Sequence, residues 1–439
     1  MTTLAQENNA TPAAGPAHRL PAQLHERAEE LEARLAIFRA EDLALDLTRG
    51  KPSAAQLDLA NGLDGILNGD FRSEDGSDTR NYGSLEGIPE MKRLCAEYLN
   101  VDANEVIVGG NSSLQLMYQY MLWARHYGPD GQQPWGATAP IKFLCPVPGY
   151  DRHFALTEEL GIEMIAVPMD ENGPNMARVE DLVRTDRAIR GMWCVPKHSN
   201  PSGATYSADV TARIANLGHI AEPGFRVMWD NAYAVHDLTD NPPELANILA
   251  LAKAAGTQDT VVIFGSMSKV SFGGAGIAFM AATRANLDAF SARLSLMTIG
   301  PDKVNQLRHA RFFKDLDGVR AHMHKHAAIV RPKFACVAHR LNEALGGKSM
   351  GSWNTPTGGY FVSFDAPKGT ASRIVALARE HGVKLTPAGA AFPYGNDPHD
   401  QHIRLAPTFP ALDELDKAMQ VFVACVELVS IRHALGSNI

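Results

Sequence analysis

The sequence predicts an α/β protein built around a largely parallel, seven-stranded sheet. Seven short runs rich in Val, Ile and Phe alternate with longer helical or mixed stretches. The runs are mostly apolar without strict alternation, as expected for strands that helices cover on both faces. These predicted strands are Glu105–Val108, Ile141–Cys145, Ile162–Val167, Gly191–Val195, Phe225–Trp229, Thr260–Phe264 and Ile277–Ala281.

A helix and a short extended piece precede the first of these strands. Between Gln23 and Phe38, apolar side chains recur at helical spacing with Glu and Arg between them. Residues 43–47 are predicted to be extended, and the Gly and Pro of residues 48–52 indicate a turn. Residues 1–16 are polar and rich in Ala and Pro, so we expect a disordered tail there.

The pattern changes after the seventh strand, which indicates a second, smaller α+β domain. Strands are predicted at Gly359–Asp365, Lys384–Thr386 and His402–Ala406, and helices at about 318–346, 371–381 and 411–433. We therefore expect a large domain at residues 61–325. Residues 17–60 and 326–439 together form the predicted small domain.

Composition excludes several classes of protein. The 439 residues include 41 Lys or Arg and 49 Asp or Glu. The resulting net charge of −8 argues against a general nucleic-acid binder. No apolar run reaches the ~18 residues that a membrane span needs. The five cysteines are scattered singly, which is typical of buried thiols in a reducing cytoplasm. We therefore expect a cytoplasmic protein that binds neither membrane nor nucleic acid.

Four polar motifs follow predicted strands, where open α/β sheets bind ligands. They are Gly109–Ser113, which opens a helix, Asn200–Gly203, Asp230–Tyr233 and Ser266–Lys269. Each alone has an ordinary explanation as a turn, a helix cap or a solvated lysine. Their occurrence together, in this order, is what carries a functional hypothesis.

The four motifs match the needs of pyridoxal phosphate. A lysine amine can form a Schiff base with an aldehyde cofactor, and an aspartate can keep a pyridine nitrogen protonated. Asn and Tyr side chains can donate hydrogen bonds to a phenolic oxygen. The free N–H groups at a helix start favour a phosphate.

On these motifs the chain resembles the class I aminotransferases of fold type I. The resemblance covers nearly the whole chain after the tail and is carried by Asn200-Pro-x-Gly, Asp230-x-Ala-Tyr233 and Ser266-x-Ser-Lys269. More narrowly, the chain is similar to a distinct bacterial subgroup of aspartate aminotransferases. The segments that resemble this subgroup are Leu47–Ser53, Pro148–Phe154, Ile299–Asn305 and Ile403–Phe409.

The resemblance implies a role for each residue around the cofactor ring. Lys269 would hold pyridoxal 5'-phosphate covalently and then move the substrate proton. Asp230 would pair with the pyridine nitrogen, while Asn200 and Tyr233 would contact the phenolic oxygen. Tyr150 stands where family members stack an aromatic ring on the cofactor.

The resemblance also implies how the phosphate is bound. Tyr82 matches a tyrosine that reaches the phosphate from the partner subunit, so a homodimer is expected. The family places an arginine shortly after the lysine, but Ile277 and Ala278 stand at that place here. We expect other donors, or a basic group such as Lys303, to replace it. The serines expected around the phosphate are Ser112, Ser113, Ser266 and Ser268.

The resemblance also implies how the carboxylates of the substrate are bound. Arg404 matches the arginine that binds the α-carboxylate with its planar fork, and Asn200 would lie beside the substrate as well. Gly50 matches a glycine that lets the N-terminal segment close over the substrate. The residue that binds the side-chain carboxylate is left open, with candidates on predicted loops at Arg49, Lys51, Arg80 and Lys303.

The function expected from the resemblance is transfer of an amino group from aspartate to 2-oxoglutarate by a ping-pong mechanism. A transaminase for alanine, an aromatic amino acid or kynurenine, or a pyridoxal-phosphate lyase, would use the same fold. A sensor domain of a transcription regulator would need a DNA-binding domain, which the residues before Thr48 do not resemble. We expect His153, His198 and His236 to line or support the pocket, and no metal site.

Overall fold

A computed structural model of the protein describes residues 21–129, 131–137 and 140–436. The predicted tail at residues 1–16 lies outside the described residues. No helix in these ranges is both long and apolar enough to cross a bilayer. The helices are α1 (Pro21–Ala40), α2 (Ala54–Asp58), α3 (Pro89–Leu99), α4 (Ser113–Tyr127), α5 (Asp151–Glu159), α6 (Met176–Thr185), α7 (Ala208–Ala215), α8 (Ile248–Ala255), α9 (Arg284–Leu294), α10 (Lys303–Phe313), α11 (Leu316–Leu345), α12 (Ala371–Glu380) and α13 (Leu412–Ala434).

The central sheet confirms the predicted α/β class but has eight strands where seven were predicted. Its spatial order is β2-β9-β8-β7-β6-β3-β4-β5, and the contacts from β8 to β4 are parallel. The strand that prediction missed, β5, is a two-residue antiparallel edge, too short to show a hydrophobic period. The strands of the whole chain are β1 (Leu45–Asp46), β2 (Val106–Val108), β3 (Lys142–Val147), β4 (Glu163–Asp170), β5 (Gly173–Pro174), β6 (Ile189–Cys194), β7 (Arg226–Asp230), β8 (Val261–Ser266), β9 (Ala278–Ala281), β10 (Ser352–Trp353), β11 (Val362–Asp365), β12 (Val383–Lys384) and β13 (His402–Leu405).

Both faces of the sheet are buried, and β7 shows how. Its side chains alternate between two apolar clusters, with Val227 and Trp229 in one and Met228 in the other. All three are at most 1% exposed. Because this strand has no solvent face, a side chain can reach a ligand only from its carboxyl end, where Asp230 lies. The polar motif is therefore presented at the edge of the sheet.

A separate apolar cluster joins the two ends of the described chain. It contains Leu31 and Leu35 of α1, and Phe422 of α13, packed with α11 and α12 around the small sheet β10-β11-β13. β1 pairs in parallel with β12. This clustering supports the predicted small domain, whose boundaries near residues 61 and 326 remain a prediction. The strand predicted at Gly359–Asp365 begins only at Val362, and the one predicted at Lys384–Thr386 overlaps β12 at Lys384 alone.

A buried carboxylate ties α1 to α13. The Glu427 side chain is 3% exposed and accepts two hydrogen bonds from the Arg27 guanidinium, at 3.0 and 2.8 Å. Lys348 Nζ lies 3.2 Å from the same carboxylate. Burial is the largest single effect and opposes the charge, but the hydrogen bonds and charges of Arg27 and Lys348 together outweigh it, so the pKa of Glu427 is lowered.

We expect Arg27→Ala to destabilise the protein by about 2 kcal/mol, because it removes two charged hydrogen bonds from a buried carboxylate. The loss is measured by urea denaturation. Since the folded pKa of Glu427 is lowered, this contribution is complete above the unfolded pKa of about 4.3 and disappears on acidification. The control is Glu30→Ala, which removes only the exposed partner of Arg27. An equal loss from both variants would contradict this account.

Candidate active site

Three neighbouring parallel strands bring the predicted polar residues to one edge of the sheet. Asn200 follows β6, Asp230 ends β7 and Lys269 follows β8, and these strands lie side by side in that order. Tyr233 lies in the turn after β7, and its ring centroid is 5.0 Å from Lys269 Nζ. The structure therefore gathers these four residues, although 69 positions separate the first from the last in the sequence.

Only one of the two carboxylate oxygens of Asp230 has a hydrogen-bond partner among the described residues. His153 Nε2 lies 3.0 Å from Asp230 Oδ2. The His153 ring stacks on Trp193, with centroids 4.0 Å apart and nearly parallel planes. Oδ1 is buried and accepts no hydrogen bond from any described residue. A buried carboxylate oxygen of this kind needs a donor, which a protonated ring nitrogen supplies.

Lys269 lies in an apolar, aromatic environment. Burial lowers the pKa of its amine, and the nearby Asp230 charge opposes this only in part. The rings of Tyr233 and Tyr360 lie within 6 Å of Nζ. Burial raises the pKa of Tyr233 and raises that of Tyr150 to about 12, so both phenols stay protonated. His236 packs against Tyr233 and Tyr360 on the far side.

Neutral donors surround the start of α4. Ser266 Oγ and Ser268 Oγ are 2.8 Å apart, and Ser268 Oγ donates to the Asn111 carbonyl at 3.1 Å. Asn111 Nδ2 donates to the Gly274 carbonyl at 2.9 Å. Ser112 caps the 15-residue helix that begins at Ser113. The free N–H groups of this helix start, with the serine hydroxyls, form a cradle suited to a phosphate.

The place where the family has its arginine is buried in this structure. Ile277 is 1% exposed, and Ala278, which begins β9, is 0% exposed. Lys303, the suggested replacement, is buried at the start of α10 and not on a loop, and it donates no hydrogen bond to a described residue. It is absent from the lining of the cavity around Lys269.

Arg404 lies on β13 and reaches across to the sheet edge. Its guanidinium donates to Asn200 Oδ1 at 3.3 Å, to the Thr48 carbonyl at 3.2 Å and to Thr386 Oγ1 at 3.2 Å. Nε is buried and has no partner among the described residues. The Phe361 ring supports the guanidinium at 4.9 Å. The guanidinium also lies 3.5 Å from Asp151, and Nε is its one buried donor without a partner among the described residues.

A cavity of about 700 Å³ connects Lys269, Tyr150, Asn200 and Arg404. Its charged lining is mostly basic, with two acidic residues, Asp46 and Asp151. The basic residues are Arg49, Lys51, Arg152, Lys269, Arg379, Lys384 and Arg404. Sequence reasoning did not assign three of them, Arg152, Arg379 and Lys384, to the site. Arg152 lies within the recognised segment Pro148–Phe154, whereas Arg379 and Lys384 lie on α12 and β12, far from the motifs.

Of the four candidates for the side-chain carboxylate, Arg49 and Lys51 line this cavity, whereas Arg80 and Lys303 do not. Arg80 is exposed and forms an ion pair with Asp78. Tyr82, which was expected at the phosphate of a partner subunit, is 81% exposed. Gly50 does line the cavity, and a Cβ there would lie 2.4 Å from the Phe361 ring, so only glycine fits. His198 pairs with Asp237 at 2.7 Å and lies outside the lining as well.

Comparison with known proteins identifies the family. The model of the aspartate amino-transferase family matches residues 20–438. The aspartate aminotransferase of Corynebacterium glutamicum is 45% identical over 407 residues, which is 92% of this chain and 94% of that protein. A crystal structure of an aspartate transaminase from the same species, 43% identical, has a TM-score of 0.92 and covers 96% of this chain and 99% of that chain.

A more distant structure carries a cofactor derivative. The α-aminoadipate aminotransferase of Thermus thermophilus was solved with N-(5'-phosphopyridoxyl)-L-leucine. It has a TM-score of 0.73 at 20% identity and covers 89% of this chain and 93% of that chain. The residues of this chain fit pyridoxal phosphate, because Asp230 Oδ1 lacks a donor and a serine cradle lies beside Lys269. The chain therefore belongs to the aspartate aminotransferase family, as an aminotransferase of fold type I that uses pyridoxal phosphate.

Proposed function

We propose that this aminotransferase moves the amino group of aspartate to 2-oxoglutarate, giving oxaloacetate and glutamate by a ping-pong mechanism. The observation that carries the proposal is the excess of basic residues in the cavity around Arg404. Both amino acids and both oxo acids of this reaction carry two carboxylates. One carboxylate needs Arg404, and the second needs another cation, which the further basic residues of the cavity can supply.

Bound pyridoxal phosphate supplies an aldehyde carbon and an electron-withdrawing ring. In the proposed mechanism, Lys269 holds the cofactor and afterwards moves the proton at the substrate α-carbon. The lowered pKa of its amine suits this role, because it favours the neutral form that accepts a proton. The rings of Tyr233 and Tyr360 lie beside that amine.

Asp230 would keep the ring nitrogen protonated through Oδ1, the oxygen that lacks a partner. His153 fixes the orientation of the carboxylate through Oδ2. We propose that Asn200 and Tyr233 donate hydrogen bonds to the phenolic oxygen, and that Tyr150 packs on the ring. Each of these side chains is held by a strand end or by ring contacts, so little reorganisation is needed on binding.

Substrate binding is proposed to begin at Arg404, whose Nε is free to donate. Asn200 lies beside it, and the segment that contains Gly50 and Arg49 covers it. We propose that Arg49, Lys51, Arg152, Arg379 and Lys384 together form the positive rim that receives the second carboxylate.

The phosphate is proposed to bind at the start of α4, among Ser112, Ser113, Ser266 and Ser268. We propose that Tyr82 adds a hydrogen bond to the phosphate of a second copy in a homodimer. Supporting this, four large side chains with apolar surface are exposed, and such a surface favours an interface. They are Tyr82, Leu296, Met297 and Ile299, on two segments that meet where Gly300 lies against the Gly83 carbonyl.

The first prediction from the proposed function concerns Lys269. Borohydride reduction of the holoenzyme followed by peptide mapping should place the cofactor on this lysine, and Lys269→Ala should lose turnover while the cofactor still binds through its phosphate. The matched control is Lys333→Ala, which removes another buried lysine whose amine donates to the Thr408 carbonyl. Label on any other lysine would refute the assignment.

The second prediction concerns the substrate. Arg404→Ala should lower kcat/KM about a hundredfold for every amino acid, which is ~3 kcal/mol of lost charged hydrogen bonding. Arg152→Ala, Arg379→Ala and Lys384→Ala are then compared for aspartate and alanine, and at least one should penalise aspartate alone. A donor screen in which alanine, an aromatic amino acid or kynurenine greatly exceeds aspartate would favour that other substrate instead.

The third prediction concerns Tyr82. Tyr82→Phe should weaken cofactor retention about tenfold, the value of one hydrogen bond to a charged group, and leave the dimer intact. Mixing it with Lys269→Ala chains gives heterodimers in which one site carries both changes and the other neither. That second site should recover wild-type affinity. Full affinity in Tyr82→Phe homodimers, or an active monomer in sedimentation, would rule out the shared site.

A further inference from the structure

A buried glutamine lies between the wall of the cavity and the lysine turn. Gln56 is 1% exposed and lies in α2, immediately after the stretch Thr48–Ser53, which we call the pocket segment. Its Oε1 accepts hydrogen bonds from Ser53 N at 3.1 Å and Ser53 Oγ at 3.3 Å. Its Nε2 donates to Tyr360 OH at 3.1 Å and to His326 Nδ1 at 3.2 Å. Both ends of the amide are thus occupied.

The partners of Gln56 lead to the backbone of the lysine turn. Tyr360 OH donates to the Lys269 carbonyl at 3.4 Å. His322 Nε2 donates to the Val270 carbonyl at 2.9 Å. The neutral His326 ring, which accepts from Gln56 at Nδ1, carries its proton on Nε2 and bonds the same carbonyl. Two consecutive carbonyls after β8 are therefore bound by side chains that contact Gln56 directly or through His326.

The other end of the pocket segment contacts the arginine. The Thr48 carbonyl accepts from the Arg404 guanidinium at 3.2 Å and from Thr386 Oγ1 at 2.9 Å. The Lys51 carbonyl accepts from Thr408 Oγ1 at 3.0 Å. The segment is thus tied to the Arg404 side of the cavity by its first half and to the Lys269 side by Gln56.

We propose that Gln56 is a positioning residue for the transamination, fixing the pocket segment against the lysine turn so that Arg404 and Lys269 keep their relative placement. The proposal rests on the roles of Lys269 and Arg404 proposed above. Gln56 reaches neither the cavity lining nor the cofactor cradle, so it acts only through Ser53, Tyr360 and His326.

An amide suits this position because one end accepts hydrogen bonds and the other donates them. Nε2 must face an imidazole nitrogen that accepts, and His326 Nδ1 accepts only while the ring is neutral. Burial, followed by the charge of His322, lowers the pKa of His326 to about 4, so the ring is neutral at physiological pH. The other titratable groups around it are Tyr360, His236 and Asp237, which line the same small cavity.

The test compares two substitutions of buried amides that keep the side-chain volume. In the holoenzyme, Gln56→Met should speed hydrogen exchange of the amides at residues 47–53 and raise the KM for the preferred amino donor about tenfold, with kcat changed by less than about threefold. Asn286→Leu is the matched control, because Asn286 bonds Tyr120 and the Asp259 carbonyl away from the site. It should lower the Tm without changing KM.

An unchanged KM in Gln56→Met, or the same rise in KM in Asn286→Leu, would overturn the proposal. If Gln56→Met does not fold, Tyr360→Phe keeps the ring and removes only the hydroxyl between Gln56 and Lys269. It should raise KM in the same direction, and wild-type KM and exchange in that variant would also overturn the proposal. Peptide mapping that finds the cofactor away from Lys269 is a separate result, and it would instead refute the proposed function.

Discussion

The site depends on one buried carboxylate with an unpaired oxygen. Asp230 stands at the end of a strand whose other side chains are buried on both faces, so the chain cannot move the carboxylate into water without breaking the sheet. His153 satisfies one oxygen, and Trp193 fixes that imidazole by stacking. A charge held this way is costly until a cationic donor meets the free oxygen. Among the described residues this oxygen is left unsatisfied, and we propose that the pyridinium of the cofactor satisfies it.

The central sheet was predictable because its strands have no solvent face. Runs such as Val261–Phe264 bury every side chain, and a continuous apolar run of that length is a strong local signal. The two-residue strands Gly173–Pro174 and Ser352–Trp353 gave no signal, since pairing of so few residues depends on neighbours brought by the fold. Lys303 was expected on a loop, yet Asp302 caps a helix that begins at Lys303.

The cavity was predictable only where its residues lie in compact motifs. Asn200, Asp230 and Lys269 each follow a strand, and the sheet brings strand ends together. Arg379 and Lys384 lie at the end of α12 and in β12, where a lone cation on an amphipathic element is indistinguishable from a solvated one. The role of Gln56 could not be predicted from the sequence either, because its partners Tyr360 and His326 are separated from it by 304 and 270 positions.

The tie between α1 and α13 has a consequence for synthesis of the chain. Arg27 and Glu427 are 400 positions apart, and so are Glu32 and Arg432, which pair on the same two helices. The ribosome makes α1 long before α13, yet Leu31 and Leu35 share one apolar cluster with that distant helix. During translation, the amphipathic face of α1 therefore stays uncovered while the large sheet forms. Until α13 has been made, the nascent chain carries this hydrophobic stripe exposed to solvent.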